Sequence, residues 1–374
     1  MPEIGNDYKK KIQYIMSADE TDDSVAKDFE DMLSQLPNNG KLYKYRALKG
    51  FHDGELKDKY LWFSSAKKLN DNKDCCFNVN FYQERDKLVA FFMNKANYKK
   101  LVVNSLYKHF RKKNAKITKQ KLEELFEGSS GRNDEAFAVE VKNFCVRYSL
   151  NSSQRKELLE TIKLFNCDKQ RELTIKKTFN ELCVRMENIR KRILVCSLAS
   201  SYSKDNMWAY YCNNKGICIE YDFSKIRLLD HKKIFHKMRK VKYGKKTKYS
   251  FINAIKSDYG DDCEEKNRED DKILRQFLTK EKSWSTEEEW RAIVFSKVDD
   301  VGVQVPVDFI SAVYIDYSVL RWKKAKEIIK LAKENAWQVY VRYFDPLVFE
   351  YKYDTIDNTK KAIRQMKLIT NEVK

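Results

Sequence analysis

Two glutamates one residue apart, Glu287 and Glu289, stand at the head of a run from Trp290 to Phe295 that is apolar apart from Arg291. If that run is a strand, alternation of side chains puts both carboxylates on the same side. A pair presented together can do acid–base work. Carboxylates also suit magnesium, so Asp71, Glu287 and Glu289 form a candidate ligand set for metal-assisted phosphodiester cleavage. Far upstream lie two further polar segments, Tyr45-Arg46 and Trp62 leading to Ser64-Ser65. The competing reading is structural: Arg46, Trp284 and Glu287 as a buried ion pair beside an aromatic ring, holding two strands together.

The elements that would position these residues can be read along the chain. Residues 1–40 carry a helical apolar pattern (Ile12, Ile15, Met16, Val25, Phe29, Met32), which Pro37-Asn38-Asn39-Gly40 stops. Strands are predicted at 41–46 and 60–63, and they open the first part of an α+β core over 41–84. Helical spacing with many charges then runs through 85–192, broken at Gly128-Ser129-Ser130-Gly131, and reads as a helical insert. The core resumes over 193–350 with strands at 193–198, 216–221, 289–295, 313–315 and 339–343, and with helices around 207–211 and 322–334. Residues 351–374 read as a C-terminal tail or helix. Strands interspersed with helices, and no glycine-rich phosphate loop, predict an α+β fold with a twisted mixed or antiparallel sheet rather than a doubly wound nucleotide fold.

Composition narrows the partners. The formal charge of +19 over 374 residues favours a polyanion. Nine of the basic residues fall in one stretch around Phe235, Tyr243 and Tyr249: Lys232, Lys233, Lys237, Arg239, Lys240, Lys242, Lys245, Lys246 and Lys248. Basic residues mixed with aromatics suit phosphate contact and base stacking, so this stretch is the candidate nucleic-acid surface, with Lys108 to Lys121 as a second. An acidic segment, 257–271, reads as a solvated loop. The nine cysteines form no Cys-x-x-Cys pair and read as small buried hydrophobes, and the four histidines form no metal array, so no metal is expected. No run of about 18 apolar residues occurs, which predicts a cytoplasmic protein without a membrane span or signal peptide.

Four pieces carry a resemblance: Leu42-Tyr43-Lys44-Tyr45-Arg46; Leu61-Trp62-Phe63-Ser64-Ser65 followed by Asn70-Asp71; Met207-Trp208-Ala209-Tyr210-Tyr211 leading to Lys215-Gly216-Ile217; and Trp284 through Arg291. In order and wording they resemble the bacterial family catalogued as domain of unknown function 2971, over about residues 41 to 345. One departure is Asn72, where the family usually has a proline. The order Arg46, Ser64 or Ser65, Glu287-x-Glu289 is also similar to the Arg, Ser, Glu-x-Glu signature of ADP-ribosyltransferases, which implies NAD as a substrate and an ADP-ribosyltransferase-like sheet.

On that resemblance Glu289 would stabilise the cationic sugar formed as nicotinamide leaves, and Glu287 would orient or deprotonate the acceptor. Arg46 would hold the dinucleotide's phosphates, Ser64 or Ser65 would support the nicotinamide–ribose end, and Tyr45 and Trp62 would stack on nicotinamide. A polyanionic acceptor, RNA or DNA, is implied, as in a toxin or phage-defence effector, with an antitoxin protein as an implied neutralising partner. Two other classes stay open: a nucleic-acid-binding module without chemistry, and the metal-dependent nuclease.

Overall fold

The computed structural model describes residues 11–13, 21–48, 54–69, 71, 73–111, 116–128, 135–259, 271–297 and 301–372. Several predicted features lie outside these residues: Ile15 and Met16, the Ser129–Gly131 break, Asn70 and Asn72, part of the 108–121 basic segment, and most of the acidic segment. The chain divides into two units, one of residues 1–76, 189–246 and 278–374, the other of residues 77–188 and 247–277.

The first unit is built on a sheet. Its strands in chain order are β1 (Ile12–Gln13), β2 (Lys41–Ala47), β3 (Tyr60–Ser65), β4 (Ile193–Ala199), β5 (Gly216–Asp222), β6 (Arg239–Lys240), β7 (Lys242–Tyr243), β8 (Thr279–Lys280), β9 (Glu289–Ser296), β10 (Gly302–Pro306), β11 (Ile310–Asp316), β12 (Gln338–Asp345) and β13 (Glu350–Thr355). The main path runs β1-β9-β4-β2-β5-β11-β12-β13, with β3 joining β4 to β10, and β6 lying on β9. β11 and β12 are parallel and the other pairs of this sheet antiparallel, so the predicted mixed α+β class holds. The short pair β7–β8 stands apart.

Alternation separates the sheet's two faces chemically. Leu42, Leu194, Cys196, Leu198, Ile217, Ile219, Trp290, Ala292, Val313 and Ile315 form one apolar core. Against it pack Phe29 and Met32 of the helix Asp22–Gln35, Phe235 of Leu229–Phe235, and Ile328 of Lys323–Glu334. The opposite face carries Tyr43, Tyr45, Cys218 and Tyr314 under Trp208 of the helix Asp205–Cys212. A Cβ at Gly216 would collide with the Arg46 carbonyl, so only glycine lets β5 begin this close to β2.

The second unit is helical, with Phe81–Met93, Lys95–Arg111, Lys119–Gly128, Glu135–Arg147, Ser152–Asn166 and Phe251–Tyr259 as its helices beside most of Asp168–Arg192. Its core includes Leu88, Phe92, Leu106, Phe110, Leu122, Phe126, Val141, Leu158 and Phe165, all buried. Its limits differ from the expected 85–192. It begins at residue 77 and recruits 247–277, a stretch the sequence pattern assigned to the sheet core. At the other end of the chain, Ile12 pairs with Ser296 as a strand rather than joining a helix.

Arg46 ties β2 to the short helix Gly54–Lys57 through a two-point pair with Glu55, at 2.6 and 2.5 Å. Glu55 is buried, while Arg46 keeps a path to water. Glu55→Ala should therefore lose about 2–3 kcal/mol in urea unfolding, below the full cost of orphaning a sealed charge. Replacing both residues by apolar ones, Arg46→Met with Glu55→Leu, should recover most of that loss.

Candidate functional site

β2 pairs with β5 along its whole length but meets β4 only at Tyr43 and Ala199. β3 takes over the same edge of β4 at Ser64↔Val195 and Ser65↔Leu194. Cys196, Ser197 and Leu198 are left without a strand partner on that side. At this parting lies a cavity of about 940 Å³, lined among others by Tyr45, Arg46, Trp62, Ser64, Glu287 and Glu289. Segments far apart in sequence thus converge on one cavity.

The two glutamates reach one side by a different route from the one expected. Glu287 ends a 3-10 helix, Lys282–Glu287, and only Glu289 is in a strand. Between them Glu288 takes the left-handed conformation, φ 44° and ψ 51°, which turns the chain. Glu288 itself faces outward, where Ser200 donates to it at 2.5 Å and Lys204 pairs with it at 2.8 Å.

Both cavity carboxylates belong to a buried cluster. Arg291 holds Glu289 at 2.6 and 2.9 Å and Asp74 at 2.5 and 2.9 Å. Lys280 Nζ lies 2.6 Å from Glu287, 3.4 Å from Glu289 and 3.6 Å from Asp74, and stands 4.8 Å from the Trp284 ring centre. Tyr211 donates its hydroxyl to Glu287 at 2.5 Å, and the Glu289 amide donates to Tyr243 Oη at 2.8 Å. Burial pushes the Glu289 and Asp74 carboxyls up, but Arg291 and Lys280 outweigh it, and both end below the ordinary carboxylate range. Three carboxylates facing two cations leave one net negative charge on this wall.

Other expected residues are placed differently. Parity along β2 sends Lys44 and Arg46 to the face opposite Tyr43, Ala199 and Glu289. Arg46 therefore borders the cavity from the far side of the parting, with its guanidinium held by Glu55 rather than free to grip phosphates. Ser65 is buried, donates to the Lys191 carbonyl at 3.4 Å, and does not line the cavity. Tyr45 packs edge-on against Trp208 at 5.5 Å and donates to the Ser201 carbonyl at 2.7 Å, which fixes its ring. Asp71 lines the cavity but accepts from the Lys73 amide at 2.8 Å, apart from the glutamates. Among the described residues no group of three or more His, Cys, Asp or Glu is placed to hold a metal ion, and the Lys280 ammonium already sits among the carboxylates.

The basic stretch is not one continuous surface. Lys232 pairs with Glu30 and Lys233 with Asp22, both on the helix Asp22–Gln35. Lys246 donates to the Lys73 and Cys76 carbonyls, and Arg239 to those of His236 and Met238. Lys248 lies in the helical unit and reaches Gln83, while Lys237 is half-buried. Lys240, Lys242 and Lys245 remain as exposed lysines of the sheet unit.

Sequence reasoning missed Asp74, Lys280, Arg291, Tyr211 and the 72% exposed Tyr210, all of which line the cavity. Arg291 lies two residues beyond Glu289 and so on the same side of β9, a signal the sequence does contain. Asp74 comes from a connection and Lys280 from a two-residue strand, both too short for a period to point inward. The eight described cysteines are free thiols.

Because Asp74 and Glu289 have lowered values when folded, they stabilise the fold above their unfolded values, and that contribution is lost as pH falls through the folded ones. Unfolding midpoints should be flat between about pH 7 and 5 and fall below about pH 4. Arg291→Met should cost about 3–5 kcal/mol and move the acid limb to higher pH, since it leaves two buried carboxylates with only Lys280.

Among the described residues no helix is long and apolar enough to cross a membrane. No curated protein and no solved structure matches the chain. The match that is found covers the helix bearing Tyr211, the exposed lysines and the cluster from Lys280 to Arg291: residues 207–292 are similar to the family described as Protein of unknown function (DUF2971).

Proposed function

We propose that the cavity is the site of an ADP-ribosyltransferase-like reaction in which NAD is cleaved and its ADP-ribose passed to a polyanionic acceptor, RNA or DNA. The observation that carries this reading is the convergence of Tyr45, Arg46, Trp62, Ser64, Glu287 and Glu289 on one cavity with a net negative wall. In the reaction the ribose C1′–nitrogen bond breaks, its electron pair leaves with nicotinamide, and the sugar becomes cationic. The acceptor nucleophile bonds to C1′ and gives up a proton. An anionic wall favours the cationic sugar over the uncharged ground state of that carbon, so its effect falls on turnover. Glu289, fixed by Arg291, supplies the charge. Glu287 is the candidate base, with Tyr211 and Lys280 as its partners. Trp62, Trp284 and the exposed Tyr210 offer flat surfaces for the rings of the dinucleotide. Lys240, Lys242 and Lys245 are the candidate contacts for the acceptor's phosphates. Modification of nucleic acid in this way fits a toxin or phage-defence effector, a role that rests on analogy.

A second reading is favoured by the saturation of both carboxylates: a nucleic-acid-binding module in which Glu287 and Glu289 serve only to lock β8 against β9. Nicotinamide release decides between them. Glu289→Gln should lower turnover about a hundredfold with KM for NAD little changed. Wild-type protein that releases no nicotinamide, with or without nucleic acid, would leave the binding module standing.

The acceptor surface has its own test. Lys240→Glu, Lys242→Glu and Lys245→Glu together should reduce the log–log salt slope of nucleic-acid binding by about 2 to 3, at roughly 0.7–0.9 per lost phosphate contact. Hydrolysis of NAD by water should survive these changes, because it needs no polyanion.

A further inference from the structure

Among the described residues, Lys44 is a buried cation with no carboxylate of its own. It is only 7% exposed, and its Nζ reaches the Ser197 carbonyl at 3.3 Å and the Cys196 sulfur at 3.5 Å. Both belong to the stretch of β4 left without a strand partner where β2 and β3 part. Burial pushes the Cys196 thiol up, so the sulfur brings no negative charge. The nearby carboxylate, Glu55, is engaged at both oxygens by Arg46. Two cations thus share one carboxylate at this end of the cavity, against three carboxylates and two cations at the other. A buried charge left in this state is costly, and an anion entering the cavity would relieve it.

We infer that the parting between β2 and β3 is an anion subsite, with Lys44 as its binding cation and the diphosphate of a nucleotide as its ligand. Identification of that ligand with the NAD of the proposed reaction rests on the reading above, whereas binding of the anion does not. A ligand with a diphosphate at one end and a positively charged ring at the other would set its phosphates beside Lys44 and its ring toward Glu287 and Glu289.

The test is calorimetric binding of inorganic pyrophosphate, ADP and a short single-stranded oligonucleotide to the wild-type chain and to two variants. Lys44→Gln keeps a donor for the Ser197 carbonyl while removing the charge, and Lys44→Arg keeps the charge. Wild type is expected to bind pyrophosphate and ADP, Lys44→Gln to bind both roughly ten- to a hundredfold more weakly, and Lys44→Arg to stay close to wild type. Equal affinity of wild type and Lys44→Gln overturns the inference, as does a wild type that binds neither anion. Loss confined to the oligonucleotide also overturns it, by assigning the site to a nucleic-acid phosphate. ADP has no nicotinamide to release, so its binding stands or falls separately from the transfer reaction.

Discussion

A guanidinium that is 1% exposed has to be answered on every side, and Arg291 sets that condition on β9, toward one end of the sheet. It fixes Glu289 in its own strand and draws Asp74 from a connection more than two hundred positions away. Lys280 repeats the demand from β8 and brings in Glu287. The residues that define one wall of the cavity are therefore held by charge satisfaction, and the strands carrying them follow. Such a cluster is a poor source of net stability but a strict arbiter of geometry, because few alternative packings pair all five groups.

The other wall is set by backbone geometry. An antiparallel edge can serve one partner strand at a time, and β4 changes partner from β2 to β3 partway along. The change leaves a short run of β4 main chain, paired with β9 on its other side, without a strand on this one, and a polar group in that position needs another partner. Lys44 supplies one for the Ser197 carbonyl. The opening and the buried lysine thus have one origin.

Much of this was legible where a single period governs. The apolar runs of β4, β5 and β9 are local, and they identified the strands. The convergence of Arg46, Ser64 and Glu289 on one region could be read only through their order along the chain. What the sequence concealed depends on geometry that no period encodes: the left-handed turn at Glu288, the capture of Arg46 by Glu55, and the arrival of Asp74 from a connection and Lys280 from the two-residue β8. Charge density also misled. Nine basic residues in one stretch suggested one face, yet Lys232, Lys233 and Lys246 are consumed by local carboxylates and carbonyls.

The chain enters the helical unit at residue 77, returns at 189, leaves again at 247 and returns at 278. On a ribosome this order matters. When β2 and β3 emerge, β4 and β5 have yet to be made, and more than a hundred residues of helical sequence must come first. That helical sequence in turn waits for 247–277 before its own unit is whole. Neither unit can therefore close before the greater part of the polypeptide has been synthesised, and a nascent chain must carry unpaired strand edges through most of translation. Folding of this protein is a late event, and chains interrupted before β9 would expose the apolar face of an unfinished sheet.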